Sequence, residues 1–478
     1  MSFEIIMRKG ATASRVVLFS VLLVGCAAQT EQYQLTRDIS VPSRWAAFAE
    51  SEPRLIDNGW VASFGSDVLN RLVMDAMASN RDLRAAAARL TEARALARQS
   101  GAGVFPTIGA ELTATRSGNG TISNTVDATL RAGWEADLWG RLRGETMAAG
   151  YEAVAAEAIF EAARQSLAAA VAVAWIEVNG HARSLEISRQ ELNARRSLLN
   201  SIEQGVAAQT ILEVEANSAR ADVARARERV AAAEGELANG LRVLETLTGR
   251  YPAGTLNAVS GLPRLPDRVP VGLPAQILER RPDIIAAERG VAAAFYRRNA
   301  AQAAQLPRIS LSADLTGSGG NLGAALNPEG IVWTLIGNIF APLVDGGQRA
   351  EEVNIRTARQ SEALALYGAI ALRAFREVET AISDEEVLRR RLGHLNSAAT
   401  EMERAVATER ARFDAGEVEL FRLNEARVRY YAALRDANAV RVDLLRNRVA
   451  LHMALGGSFA TLAPIAATEV VAVAVVNQ

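Results

Sequence analysis

Residues 129–138 read TLRAGWEADL, and this stretch decides the fold. Every second residue is apolar, which places five side chains on one face of an extended chain: Leu130, Ala132, Trp134, Ala136 and Leu138. Strict alternation with period two is typical of a β-strand whose two faces meet different surroundings. A soluble sheet that covers a core gives the same pattern. A strand of about 10 residues with one apolar and one polar face also meets the requirements of an outer-membrane barrel.

Three more stretches extend this prediction. Residues 107–114 and 309–316 alternate in the same way, whereas Ile331–Leu343 alternates poorly, since three apolar residues interrupt its polar face: Val332, Ile336 and Phe340. Four strands cannot close a membrane barrel, because the smallest closed barrels have about 8. An open edge in lipid would leave backbone groups unpaired at a cost of several kcal/mol each. Strands in a membrane would therefore require an oligomer; two copies supply eight strands and three supply twelve.

The chain repeats its own organisation. Residues 80–83 (NRDL) open an alanine-rich stretch that ends at Pro106, and residues 281–284 (RPDI) open another that ends at Pro307. The spacing from the aspartate to the proline is the same in both cases. An alternating hairpin follows each proline, and a glycine then precedes a long helical pattern, Gly140 in the first half and Gly346 in the second. Each half is predicted as helix, hairpin, long helix, turn and helix.

The long helices are the largest predicted elements. From Gly347 to about Phe413 almost nothing interrupts the helical pattern, which corresponds to about 100 Å at 1.5 Å per residue. Turns are predicted at Gln204-Gly205 and Ala415-Gly416, and the segment between Gly205 and Glu213 is interpreted as carrying extra residues. The predicted fold class is mainly α with a small membrane β part and two internal structural repeats.

The first 26 residues indicate export. Arg8, Lys9 and Arg15 accompany the apolar run Val16–Val24, which is typical of a secretory signal peptide and too short to span a bilayer. The position of Cys26 resembles a bacterial lipoprotein box, which implies that Cys26 becomes the lipidated N-terminus. The alternative is an ordinary signal peptide with a buried free cysteine. Position 27 is Ala, whereas inner-membrane lipoproteins carry Asp there, so the sequence resembles that of a lipoprotein sent to the outer membrane.

Composition excludes several classes of function. A formal net charge of -1 argues against nucleic-acid binding, and a single cysteine excludes an internal disulfide. The three histidines, His181, His394 and His452, lie far apart and are interpreted as solvated helix-face residues rather than metal ligands. The sequence has no Gly-rich phosphate loop, nucleophile motif or ligand cluster, so we expect neither an enzyme nor a cofactor, apart from the lipid on Cys26.

Four motifs carry a resemblance to a known family. Residues 272–288 read GLPAQILERRPDIIAAE, followed by LPRISL at 306–311, APLVDGG at 341–347 and FDAG at 413–416. Together they resemble the TolC-like outer membrane efflux proteins, in particular the NodT or OprM-like lipoprotein branch, over essentially the whole chain after Cys26. The arginine-arginine-proline-aspartate core, followed by a proline and a strand, is the most characteristic of them.

The resemblance implies a homotrimer in the outer membrane, lipid-anchored and extending into the periplasm. Each subunit would give four strands to a 12-stranded barrel, and its long helices would form a tunnel. Such proteins are passive ducts for drugs or other small molecules, delivered by an inner-membrane RND-type pump through a periplasmic adaptor. Two alternatives stay open: a periplasmic coiled-coil adaptor or scaffold without a pore, and an outer membrane duct for protein secretion or metal export.

The same resemblance divides the chain. The predicted parts are a lipoprotein signal peptide (1–25), a lipidated segment (26–65), a first repeat (66–250, hairpin 107–139), a linker (251–273), a second repeat (274–458, hairpin 308–343) and a tail (459–478).

The resemblance also implies a gate at the periplasmic tip. Aligned from Gly416, Glu425 matches the position of a tunnel-facing carboxylate, and Arg422 precedes it by one turn. Phe413 matches an aromatic position beside the gate, and Glu213 is the candidate acid of the first-half turn. A ring of carboxylates around an axis can both constrict a pore and attract cations. The alternative for Arg422 and Glu425 is a surface ion pair worth about 0.2–0.5 kcal/mol.

Overall fold

The structure is a computed structural model that describes residues 41–47, 58–120, 122–266 and 268–458. The predicted signal peptide, Cys26 and the tail 459–478 lie outside the described residues.

Nine helices and four strands of the described chain follow one another in two parallel series, besides two short 3-10 turns at Trp60–Phe64 and Pro328–Gly330. The first series is α1 (Asp67–Ser79), α2 (Arg81–Ala102), β1 (Thr107–Gly118), β2 (Ile122–Ala136), α3 (Arg141–Ala207) and α4 (Glu213–Leu247). The second is α5 (Gln276–Arg280), α6 (Pro282–Ala303), β3 (Arg308–Gly319), α7 (Leu322–Ala325), β4 (Val332–Phe340), α8 (Gln348–Asp414) and α9 (Leu420–Ala454).

Equivalent helices of the two halves have equal lengths. Helices α2 and α6 have 22 residues each, α3 and α8 have 67 each, and α4 and α9 have 35 each. At 1.5 Å per residue the two longest helices each extend about 100 Å. The predicted order of elements, and a mainly helical fold with a few antiparallel strands, are confirmed.

The four strands form one antiparallel sheet in the order β1-β2-β3-β4. Leu130 of β2 lies opposite Ala110 of β1 and Leu315 of β3, and Leu315 lies opposite Trp333 of β4. Because paired residues point to the same side, this register collects the alternating apolar side chains of β1, β2 and β3 on one face, together with Trp333, Leu335 and Ile339 of β4. The other face carries Arg131 and the remaining polar residues.

The fourth strand is shorter than predicted. It covers Val332–Phe340 rather than 331–343, and Pro342, which has no N–H to donate, follows its end. Its apolar face is complete, because Trp333, Leu335 and Ile339 stand opposite Leu315, Ala313 and Ile309. The apolar residues on its polar face had obscured this regularity.

The core lies where α1, α3, α4, α9 and the linker meet. Its fully buried members include Leu69, Val171, Trp175, Leu244 and Leu445. Buried alanines and Gly180 allow close helix packing: a Cβ on Gly180 would overlap the side chain of Val442. Helix α3 contains one window long and apolar enough to cross a membrane by composition, but 44% of that window is buried inside the protein. The same helix supplies Val171 and Trp175 to the core.

Asn80 and Arg281 occupy equivalent positions in the two halves. Each lies just before a helix and connects it to the end of the last helix of its own half. Asn80 accepts a hydrogen bond from the Leu83 N–H (2.9 Å) and donates one to the carbonyl oxygen of Leu247, the last residue of α4 (3.0 Å). Arg281 donates in the same way to the carbonyl oxygen of Ala454, the last residue of α9 (3.1 Å). The side chain of Arg281 also donates to Asp283, which explains the arginine-proline-aspartate motif structurally.

Carboxylates hold the segments that flank the repeats. Glu245, at the end of α4, accepts hydrogen bonds from the backbone N–H groups of Gly254, Thr255 and Leu256 in the linker (2.6–3.0 Å). Donation from Gly254 is the main cause that lowers the pKa of Glu245. The N-terminal segment is bound similarly: the Ala46 N–H donates to Glu379 of α8 at 2.7 Å.

Candidate functional site

The long helices turn back through two loops of equal length. Residues 208–212 join α3 to α4, and residues 415–419 join α8 to α9. The loops share their closing hydrogen bond: Thr210 N–H donates to Gly205 O and Glu417 N–H donates to Arg412 O, both at 2.9 Å. The expectation of extra residues between Gly205 and Glu213 is therefore wrong.

The predicted position of the first turn, at Gln204-Gly205, is wrong because the residue with the left-handed backbone in this turn is not a glycine. Gln209 adopts φ +57°, and Gly416, at the equivalent position, adopts φ +76°. Among the described residues, Gln209 is the only residue other than glycine with a positive φ. Gly205 stays helical and serves packing instead, since a Cβ there would lie 2.5 Å from Ile211 Cδ1. The turn is centred on Gln209, not on Gln204-Gly205.

A small apolar cluster joins the helix pair α3–α4 to the helix pair α8–α9 at this end. Leu198 and Ile202 of α3 are buried against Ala216 and Ala219 of α4. Leu420, the first residue of α9, packs against the same cluster. The two turns therefore lie together, and we call this end of the helices the tip.

The structure brings the four predicted gate residues to the tip, but it does not pair Arg422 with Glu425. Glu425 accepts a hydrogen bond from Arg429 Nη2 at 2.5 Å, one turn further along α9. Within the described ranges, no ion pair joins Arg422 to Glu425; Arg422 is exposed at the start of α9. Phe413 is half-buried in the last turn of α8.

Glu213 is not the repeat equivalent of Glu425. Counted from Gln209 and Gly416, the first-half counterpart of Glu425 is Ser218, and the counterpart of Glu213 is Leu420. Glu213 begins α4 and forms an ion pair with Arg220 at 2.8 Å. Arg220 also contacts Glu203 at 3.1 Å. This exposed network stays within the helix pair α3–α4.

Above the tip, a buried carboxylate joins three helices. Glu191 of α3 is 2% exposed and accepts hydrogen bonds from Arg195 of α3 (3.1 Å), Arg229 of α4 (2.8 Å) and Arg435 of α9 (2.7 Å). Burial acts to raise the pKa of Glu191, but the charges of Arg229, Arg435 and Arg195 prevail and lower it. Only the pair with Arg195, four residues away, could be seen in the sequence.

A second buried ion pair lies nearer the core. Arg448 of α9 is fully buried and donates to Glu385 of α8, with Nε at 3.1 Å from the carboxylate. His452 lies one turn further on and stacks on Trp60 at 5.6 Å between ring centroids. Burial and the neighbouring Arg448 lower the pKa of His452 to about 3. The interpretation of His452 as a solvated residue is therefore wrong.

The polar face of the sheet also carries ion pairs. Arg131 of β2 pairs with Asp314 of β3 at 2.8 Å, directly across the strands. Arg141, at the start of α3, pairs with Glu135 at 2.8 Å. Charged side chains on this face and apolar ones on the other give the sheet one side suited to water and one suited to lipid.

The comparison with known proteins agrees with this geometry. The sequence profile of the outer membrane efflux protein family matches residues 72–250 and 273–457, which covers both repeats. The chain belongs to this family.

Relatives of this outer membrane efflux protein match over nearly their whole length. The pyoverdine export outer membrane protein OpmQ of Pseudomonas aeruginosa is 30% identical over 463 residues, 93% of this chain and 96% of the relative. The probable outer membrane lipoprotein SilC of Salmonella typhimurium is 26% identical, over 92% and 97% of the two chains. The solved structure of the outer-membrane channel OprN superposes with a TM-score of 0.82 at 27% identity, over 90% and 98%.

Membership defines the general role. The chain is an outer membrane channel protein of an efflux system, and its place is the outer membrane. Proteins of this family are passive channels and not enzymes.

Proposed function

We propose that three copies of this chain form the passive exit duct of a tripartite efflux system. The observation that supports this most directly is the four-stranded sheet, which has a complete apolar face and two edges, β1 and β4, that pair with no other strand of the described residues. Unpaired edges are not tolerated in lipid, so each β4 must pair with β1 of another copy. Three copies give the 12-stranded barrel that the resemblance implies.

In this assembly the helices continue the barrel into the periplasm. Helices of about 100 Å reach far from the membrane, and their tip is the surface that a periplasmic adaptor and an inner-membrane RND-type pump would engage. The relative OpmQ is named for pyoverdine export, which supports small molecules as the class of cargo. The relative SilC is named a lipoprotein, which supports the proposed lipid on Cys26.

We place the gate at the tip, with Glu425 as its central residue. Glu425 lies in the second turn of α9, close to Gly416, and its side chain is 39% exposed. Three copies would present three such carboxylates around the axis. A ring of this kind can both constrict the pore and attract cations. Arg422, Phe413 and Glu213 lie at the same end and complete the proposed gate.

Neighbouring residues of one strand provide the test of the assembly. Leu112 lies on the apolar face of β1 and Thr113 on the polar face. Leu112→Arg should abolish trimers and bilayer conductance, because arginine on the lipid face costs about 2–4 kcal/mol per copy near the bilayer midplane. Thr113→Arg should still assemble and conduct. A wild-type protein that purifies as a soluble monomer without detergent, or a conducting Leu112→Arg trimer, would contradict the proposal.

A further inference from the structure

The loop between β3 and β4 folds back onto the sheet. Its short helix α7 rests on β3 and β2, and Ala325 is almost completely buried against them. Two glycines of β3 make this contact possible. A Cβ on Gly317 would overlap the carbonyl oxygen of Ala325, and a Cβ on Gly319 would lie 2.5 Å from the Cβ of Ala324. Helix α7 therefore lies directly on the strand backbone.

The register identifies the face that α7 covers. Gly317 lies opposite Ala128, two residues from the opposed pair Leu130 and Leu315, so all four positions are on the apolar face. Ile331 confirms the side, because its Cγ1 lies 3.6 Å from where a Cβ of Gly317 would be. The loop thus packs on the face that the proposed function assigns to lipid, at the end of the strands away from the long helices.

The largest exposed side chains of this loop are apolar, and Glu329 is its one charged residue. Leu322, Leu326 and Ile331 are 47%, 57% and 43% exposed, and Trp333 beside them is 74% exposed. A loop folded against water would turn its leucines toward the sheet, whereas here the small Ala325 faces the sheet and the leucines face outward. Ile331 and Trp333 place part of this surface next to the apolar face of the strands.

Local hydrogen bonds pair several backbone N–H groups of the loop. Asn321 Oδ1 accepts from the Ala324 N–H at 3.0 Å, and Asn327 Oδ1 accepts from the Glu329 N–H at 3.3 Å. Internal pairing of this kind lowers the cost of placing irregular backbone beside hydrocarbon. The hairpin of β1 and β2 has no counterpart, because only residues 119–121 join those strands.

We propose that α7 and the flanking residues Leu326 and Ile331 form a lipid-binding surface in the outer leaflet of the outer membrane. This inference rests on the proposed function, which puts the apolar face of the sheet in the bilayer. The partner is the boundary between headgroups and acyl chains, where amphipathic segments lie with their apolar side inward. One such surface per copy holds the rim of the barrel at a fixed depth, through the second hairpin only.

Single-cysteine labelling tests this directly in the full-length, membrane-assembled protein. Leu326→Cys, Leu112→Cys and Asn119→Cys variants are labelled with an environment-sensitive fluorophore and reconstituted into phosphatidylcholine vesicles with brominated acyl chains. Wild-type protein, with its single cysteine at position 26, gives the background. We expect bromine quenching and a blue shift at positions 326 and 112, and neither at 119, which lies in the short turn of the first hairpin.

The positions separate the two claims. Quenching at 112 without quenching at 326 would overturn the lipid-binding surface and leave the membrane sheet intact. No quenching at either position would overturn both. A second variant tests whether α7 must pack on Gly317. Gly317→Val in the Leu326→Cys protein should return the label at 326 to water, whereas Gly317→Val in the Leu112→Cys protein should leave the label at 112 quenched. A label at 326 that stays in lipid would refute the role of Gly317.

Discussion

Gln209 and Gly416 occupy the same position in the two helix-to-helix turns, and both have a left-handed backbone, with φ of +57° and +76°. A glycine adopts this conformation without a Cβ penalty, whereas other residues are strained by about 1–2 kcal/mol. The first half of the chain therefore stores strain at its turn that the second half avoids. The two turns offer a matched pair of substitutions.

Exchanging the residue types should change stability in opposite directions. Gly416→Ala should destabilise the second turn by about 1 kcal/mol, because a Cβ there meets nothing within 4 Å and only the backbone conformation is penalised. Gln209→Gly should stabilise the first turn by up to about 1 kcal/mol. Limited proteolysis at the tip measures both effects. Equal protection of the two variants would contradict this account of the turns.

Removal of the proposed gate charge should raise the conductance of the channel. Glu425→Gln keeps the size of the side chain but removes the carboxylate from the ring, so single-channel conductance should rise and cation preference should fall. Glu401→Gln is the matched control, because Glu401 also pairs with an arginine on its own helix, Arg404 at 2.8 Å. Conductance in planar bilayers that is unchanged in Glu425→Gln would remove this residue from the gate.

The Glu191 cluster should contribute stability that depends on pH. Its pKa is lowered in the folded protein, so the contribution is complete above the ordinary pKa of about 4.5 and is lost as pH falls through the lowered value. Glu191→Gln should cost about 3 kcal/mol at neutral pH, because it leaves arginines of three helices without their shared carboxylate.

Denaturant unfolding of the detergent-solubilised protein measures this effect. Between neutral pH and strong acid, the difference between wild type and Glu191→Gln should shrink. Glu203→Gln, at an exposed ion pair with Arg220, should cost under about 1 kcal/mol at every pH. A Glu191→Gln penalty that stays constant into strong acid would refute the assignment.

Lipidation of Cys26 has a chemical signature in this chain. Lys9 is the only lysine, and it precedes Cys26. Cleavage before Cys26 followed by acylation of its α-amine would leave the mature protein without a primary amine. Amine-reactive esters should therefore label the purified protein not at all, whereas Cys26→Ser should be labelled at Lys9 or at a free N-terminus. Stoichiometric labelling of the wild type would exclude this processing.

The sequence was sufficient for features that rest on periodicity. Alternation located β1, β3 and the second half of β2, although the stretch 129–138 ran two residues past the end of β2, and the long helical pattern after Gly347 placed α8 within one residue at each end. It was insufficient at Gln209, because a left-handed backbone at a glutamine leaves no mark in composition. It also missed the partners of Glu191, since Arg229 and Arg435 lie 38 and 244 residues away along the chain and converge only after the hairpins have packed.

The way Glu245 holds the linker has an evolutionary consequence. Its carboxylate binds the peptide N–H groups of Gly254, Thr255 and Leu256, and every residue except proline carries such a group. Apart from Gly254, whose φ of +75° favours glycine, this contact does not depend on which side chains the linker carries. Substitutions can accumulate between the repeats while one acid preserves the path of the chain.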